Sequence, residues 1–258
     1  MSELEKELEK AYVQFFTDMA LIRKSGKFRN KHPDKKFATY PYIGSRYGND
    51  GNVEKILFVG RDIGRGRWEG RIQSFSERRR GIEDKDFCCH NLHIAGTYMT
   101  ALYFLKDKLD WSAQWDKIVN TGFTCQRVLS ERKELLPSED PLSYSKNPLS
   151  YCALTNYHKF MTKGEEKMSH GRNLKWLDRD KEERLFLDDE VGILEPDIVI
   201  FQGDNKEFRK VAKNLKSEGK VREIYVGCHP AARGPVREPK KLIESIGLES
   251  CKASKDEK

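Results

Sequence analysis

Four short, almost uninterrupted apolar runs most constrain how this chain can fold: KILFVG (55–60), YCALTN (151–156), DIVIFQG (197–203) and EIYVGCH (223–229). Each is rich in β-branched and aromatic residues and too short for a helix. That is the signature of a strand buried on both faces of a parallel sheet. Segments with helical spacing separate them, notably HIAGTYMTALYFLKDKL (93–109) and NKEFRKVAKNLKSEG (205–219), in which Phe208, Val211, Ala212 and Leu215 share a face. Strands alternating with helices imply β-α-β units and place ligand chemistry in the loops after the strands. The fold class is therefore α/β, and the loops that follow the four runs are the ones to read.

The rest of the chain is organised around that core. Leu4, Leu8, Ala11, Phe15, Met19 and Ile22 recur at helical spacing, which predicts an amphipathic helix within residues 1–24 packed on the sheet. The following KFRNKHPDKKFATYPYIGSRYGNDGN is irregular in composition. About ninety residues separate the first two runs, more than one crossover helix needs, so an extra helical subregion is expected there. The charged stretch 163–184 reads as a mobile excursion, and residues 251–258 as a disordered tail. The expectation is one domain over residues 1–250, with its core at 53–248. No run of about 18 apolar residues suggests a membrane span, and the N-terminus is too charged for a signal peptide. The six cysteines of the chain form no C-x-x-C pair. A reducing compartment follows: cytoplasmic or nucleoid-associated, or nuclear in a eukaryote.

The strand ends carry the polar residues. The first run leads into GRDIGRGRWEG, where Gly60 and Gly64 surround Asp62. Glycine allows close backbone approach to a ligand. The spacing fits neither G-x-x-x-x-G-K-[ST] nor G-x-G-x-x-G, which disfavours a nucleoside triphosphatase or a dinucleotide enzyme. The second run ends in Asn156, whose amide offers both a donor and an acceptor, as reading a nucleobase edge requires. The fourth ends in His229-Pro230. Singly, Asp62 reads as a turn-former, Asn156 as a helix cap and His229 as packing. Together they form a constellation at one edge of the sheet.

In their order, FVGRDIG, ALTNYHKF, PDIVIFQG and VGCHPAARG resemble the motifs of the uracil-DNA glycosylase superfamily. The resemblance implies a three-layer α/β/α sandwich with a four-stranded, mainly parallel sheet. It implies hydrolysis of the N-glycosidic bond of uracil or a related deaminated base turned out of DNA. Asp62 would position water and stabilise positive charge on the sugar. His229 would hydrogen-bond the base as negative charge builds there. Asn156 would read the base edge beside Gly60 and Gly64, and Phe75 stands where the family stacks an aromatic on the base, with a core role as its alternative. Ile63 replaces a common proline, and Gly64 stands where strict uracil enzymes carry a tyrosine, so the base range could be broader. The closely spaced N-terminal cysteine pair of the iron–sulfur branch is absent. No cluster, metal or other cofactor is therefore expected, although Cys88, Cys89, His90 and His93 form a weak metal candidate.

Lys and Arg exceed Asp and Glu by seven in the whole chain. Two segments flanking the motifs, 61–80 and 206–241, concentrate that excess. Arg65, Arg67, Arg78, Arg79, Arg80 and Arg233 are the candidate DNA contacts, with Arg233 nearest to the place where the family wedges the duplex. The expected partner is single- or double-stranded DNA, bound by a monomer. A non-catalytic nucleic-acid or nucleotide-binding module with the same fold is the alternative.

Overall fold

The computed structural model describes residues 1–19, 36–37, 40–60, 74–83, 90–132, 147–161, 178–231 and 237–248. In chain order the strands are β1 (Lys36–Phe37), β2 (Tyr42–Ile43), β3 (Ile56–Gly60), β4 (Cys152–Asn156), β5 (Phe160–Met161), β6 (Ile198–Gln202), β7 (Glu223–Gly227) and β8 (Gly247–Leu248). The helices are α1 (Glu3–Asp18), α2 (Phe75–Glu83), α3 (Leu92–Leu105), α4 (Ser112–Val119), α5 (Cys125–Ser130), α6 (Arg179–Arg184), α7 (Val191–Leu194), α8 (Lys206–Ser217) and α9 (Pro239–Glu244). A π-helical turn, Leu185–Glu190, joins α6 to α7, and a 3-10 turn, Pro148–Tyr151, precedes β4.

The four apolar runs are the four parallel strands β3, β4, β6 and β7. The sheet order is β2-β4-β3-β6-β7-β8, so the expected four-stranded sheet is extended at both edges. The added strands, β2 on β4 and β8 on β7, are antiparallel and two residues long. Both edges of the parallel core are thereby covered, which removes open pairing positions. β1 and β5 form a separate antiparallel pair.

Side chains alternate between the two faces of the sheet with a period of two, and both faces are buried. Ile56, Phe58, Cys152, Leu154, Ile198 and Ile200 face a core completed by α3, α4, α5 and α9. Leu57, Val59, Ala153, Val199, Phe201, Ile224 and Val226 face a second core completed by the π-helical turn, α7 and α8. Helices thus cover both faces, which is why the strands are mostly apolar, with Thr155, Asn156, Gln202 and Glu223 toward their ends. The helix starts are set locally. Ser2 and Glu5 form a reciprocal capping box at α1, with Ser2 N–H donating to Glu5 at 2.7 Å and Glu5 N–H to Ser2 Oγ at 3.2 Å. Asn91 caps α3 by accepting from His93 and Ile94 N–H, and Asn205 caps α8 by accepting from Phe208 N–H.

The charged 163–184 stretch differs in part from expectation. Its last residues form α6, started by Asp178 accepting from Lys181 N–H at 3.2 Å and anchored by buried Glu182, which accepts from Lys159 N–H. A carboxylate that caps a buried backbone donor turns a charge run into structure. The helical subregion expected between the first two parallel strands is α2 to α5. Among the described residues, no helix is long and apolar enough to cross a membrane.

Candidate functional site

Parallel pairing brings the carboxyl ends of four strands to one edge. Gly60 is the register partner of Asn156, Val59 of Phe201, and Gln202 of Gly227, two residues before His229. Gly60 is required there: a Cβ on it would lie 2.9 Å from Asn156 Oδ1 and 3.7 Å from His93 Cε1. The missing side chain lets Asn156 and His93 crowd onto the strand end. Gly96 does the same for the turn after β7, because a Cβ there would sit 2.5 Å from Pro230 Cβ and 2.9 Å from Pro230 O. Helix α3 thus seats the His229-Pro230 turn against the sheet edge.

The Asn156 side-chain amide hydrogen-bonds no described residue. Its donor and acceptor therefore remain available to a ligand. The backbone is less free: Tyr157 N–H donates to Gly60 O at 2.8 Å, and Lys159 Nζ donates to Asn156 O. His229 is exposed, and its Nδ1 accepts from Ala231 N–H at 3.1 Å. In a neutral ring this leaves the hydrogen on Nε2, which makes that nitrogen a donor.

Sequence reasoning set His93 among metal candidates, but the structure gives it other partners. Its ring stacks on His229 with centroids 4.9 Å apart and planes 15° from parallel. Its Nε2 lies 2.7 Å from Gln202 Oε1. The roles can be deduced: Thr97 Oγ1 donates to His93 O, Gln202 Nε2 donates to Thr97 Oγ1, so Gln202 Oε1 is the acceptor and His93 Nε2 carries the hydrogen. His93 keeps a partly exposed edge, yet burial of the ring, with the nearby His229 and Arg78 charges, pushes its pKa down to about 4 against the Gln202 bond. Among the described residues, no group of three or more His, Cys, Asp and Glu is placed to hold a metal ion. Cys88 and Cys89 lie outside them.

The neutral His93 has a consequence for stability. In the unfolded chain it takes up a proton near pH 6.5, whereas in the fold it does so only near 4. The unfolded state then binds more protons in that window, so stability falls as pH drops from about 6.5 to 4. Allowing for solvent at the exposed edge, the loss is on the order of 1–2 kcal/mol. His158 works in the opposite sense. Burial lowers its pKa, but hydrogen bonds and charges from Glu182 and Glu207 outweigh that and raise it, so its contribution is lost as pH rises. His93→Gln is therefore expected to flatten the acid side of the stability profile, measured by urea unfolding at pH 7, 5.5 and 4.5. An unchanged slope would mean that His93 is not held neutral.

A buried ionic network lies behind Asn156. Lys159 Nζ is 2.7 Å from Glu190 Oε2 and donates to Thr155 Oγ1 at 3.0 Å. Thr155 Oγ1 lies 2.9 and 3.1 Å from the two Glu190 oxygens, and Tyr12 OH donates to Glu190 Oε1. Lys159 and Glu190 are about 1% and 0% exposed. Burial depresses the Lys159 pKa while Glu190 opposes the shift, and burial together with Glu190 drives the Tyr12 pKa well above its usual value. Glu190 sits in the π-helical turn, the widened backbone that aims it at β4.

The remaining candidates separate sharply. Phe75 is buried and stacks on Tyr40, centroids 4.9 Å apart and planes 19° from parallel, so one ring face is already occupied. The Arg78-Arg79-Arg80 run divides three ways. Arg80 is exposed. Arg79 turns inward, donating to Ile43 O at 2.9 Å and pairing with buried Glu5. Arg78 Nε is buried without a hydrogen-bond partner. Asp62, Gly64, Arg65, Arg67 and Arg233 lie outside the described residues.

Sequence reasoning missed Gln202, Lys159 and Glu190. Their only signal was a polar residue closing an apolar run, a lysine three residues after Asn156, and a glutamate inside LFLDDEVGIL. No protein-family model, curated protein or solved structure significantly matches the chain.

Proposed function

We propose that the protein is a DNA glycosylase that hydrolyses the N-glycosidic bond of uracil or a related deaminated base, on a uracil-DNA glycosylase-like sandwich. The observation that carries this reading is the meeting of Gly60, Asn156 and His229 at one sheet edge, with the Asn156 amide unpartnered among the described residues. The motif order FVGRDIG, ALTNYHKF, PDIVIFQG, VGCHPAARG supports it further.

The chemistry follows from the groups present. Asn156 supplies a donor and an acceptor to the edge of an extruded base. His229 supplies an Nε2–H where negative charge builds on the departing base, and a donor aimed at developing charge raises the rate. The Gly60 backbone allows the base to lie close to the strand end. Asp62, two residues beyond Gly60, is the carboxylate assigned to hold water and oppose the positive sugar. Extrusion of the base costs a few kcal/mol, least in single strands, and is offset by pocket contacts. The exposed Arg80 and the lysines of α8 are on hand for phosphate.

The test is incubation with single- and double-stranded DNA containing uracil, hypoxanthine or xanthine, then alkaline scission at abasic sites. Wild type is expected to cut at one or more of these bases, and Asp62→Ala at least about 100-fold more slowly. Equal, background scission by both proteins on every substrate rules out the enzyme.

A further inference from the structure

We infer that Arg78, on α2, forms an anion receptor, taking a negatively charged oxygen of the ligand as its missing counter-charge. The argument starts from an imbalance. The guanidinium carries five N–H donors and a permanent charge. Arg78 Nε is buried, and the side chain makes no hydrogen bond or ion pair with any described residue. The residue as a whole is partly exposed, so an anion can reach the guanidinium, while the unpaired buried Nε is a cost to the fold.

No carboxylate among the described residues pairs with Arg78. Glu5 is taken by Arg79 and Ser2. Glu190 is taken by Lys159, Thr155 and Tyr12. Glu83, on the same helix, accepts from Tyr42 OH at 2.9 Å and Ser45 N–H at 3.1 Å through Oε1, and its buried Oε2 makes no hydrogen bond, to Arg78 or to any other described group. The acidic groups acting on Arg78 are the phenols of Tyr12 and Tyr42, and the Tyr12 phenol stays neutral far above pH 7. The other groups within its electrostatic reach, Lys159 and His93, repel a cation or are neutral. Burial accordingly lowers the Arg78 pKa to about 10, which still leaves it charged.

The position gives the charge a use. His93 stacks on His229 and lies against Gly60, while Lys159 holds Asn156 O, so the neutral ring and the cation within reach of Arg78 both belong to the strand-end site. Arg79, one residue on, meets its carboxylate at Glu5; Arg78 meets none among the described residues. A ligand oxygen bearing negative charge would complete this side chain. It can come from a phosphate group or from a base that is anionic or becomes so, and this recognition holds whether or not a base is excised.

The experiment compares wild type with Arg78→Met, Arg78→Gln and, as a control at an exposed position, Arg80→Gln. In chloride buffer without multivalent anions, both Arg78 variants are expected to melt at or above the wild-type temperature, because an orphan charge has been removed. Inorganic phosphate is expected to raise the wild-type and Arg80→Gln midpoints by a few degrees and to bind the Arg78 variants at least tenfold more weakly. The source is read from deoxyuridine, deoxyuridine monophosphate and uracil-containing single-stranded DNA. If only the phosphate-bearing ligands lose affinity and the salt slope falls by about one, the anion is a phosphate. If deoxyuridine or the free base also weakens, the anion is the base. Arg78 variants that melt several degrees lower and still bind phosphate like wild type would show a structural arginine and overturn the proposal.

Discussion

Glu190→Gln is expected to lower stability by about 3–5 kcal/mol, one of the largest effects of any single substitution in this fold. The change keeps the shape of the side chain and removes only its charge. Lys159 would then be left with its ammonium about 1% exposed and without a counter-charge, with Thr155 Oγ1 and Asn156 O as its remaining partners. The acceptor of the Tyr12 hydroxyl would weaken too. In a chain of this size such a loss lowers the melting midpoint by roughly 10 °C. The two partners are coupled, so Lys159→Met combined with Glu190→Leu should cost much less than the sum of the single changes. A Glu190→Gln protein within about 1 kcal/mol of wild type would show that the network is not the brace it resembles. Because Lys159 also grips the Asn156 carbonyl, the same substitution should loosen the strand end that carries the Asn156 amide.

Asn156→Ala, the second large effect, is expected to slow base release by about 10²–10³-fold while changing stability little. The side chain is partly exposed and its amide has no described hydrogen-bond partner, so truncation leaves no donor or acceptor stranded inside the protein. That contrast separates a working residue from a structural one. On the proposed reading, DNA binding through phosphate contacts should survive the substitution, since a base-edge amide adds little to them. Gel-shift affinity and single-turnover base release, measured on the same preparation, test the point. A loss of affinity as large as the loss of rate would argue instead that Asn156 supports the fold.

How far the sequence revealed these features depended on whether the signal was local. The four parallel strands were legible because burial on both faces leaves a continuous apolar run, visible without any partner. β2 and β8, two residues each, are too short to carry a pattern and are defined only by their pairing with the sheet edges. The strand-end placement of Asn156 and His229 was legible for the same reason as the strands. The support behind them was not. Lys159 and Glu190 read as ordinary surface charges in YHKF and LDDE, and only the π-helical turn brings them together across the intervening helix.

The arginine run shows the same limit. Arg78, Arg79 and Arg80 read as one basic patch, yet the α2 helix turns successive side chains about 100° apart and sends them to different environments. Arg79 finds Glu5 at the other end of the sequence, in the capping box of α1. Arg80 stays in solvent, and Arg78 is left with buried nitrogen and no described counter-charge. His93 was noticed for its neighbours Cys88, Cys89 and His90, whereas its described contacts are with Gln202 and His229, more than a hundred residues away.

The most direct measurement is the quantity of free base released in a single turnover from single-stranded DNA carrying one uracil, hypoxanthine or xanthine, counted against abasic sites formed. A glycosylase gives one free base per abasic site for at least one of these substrates, with the yield lost in Asp62→Ala and Asn156→Ala proteins that still bind the strand. Tight, salt-sensitive binding of the same DNA with no free base released from any of them would contradict this and identify a non-catalytic binding module.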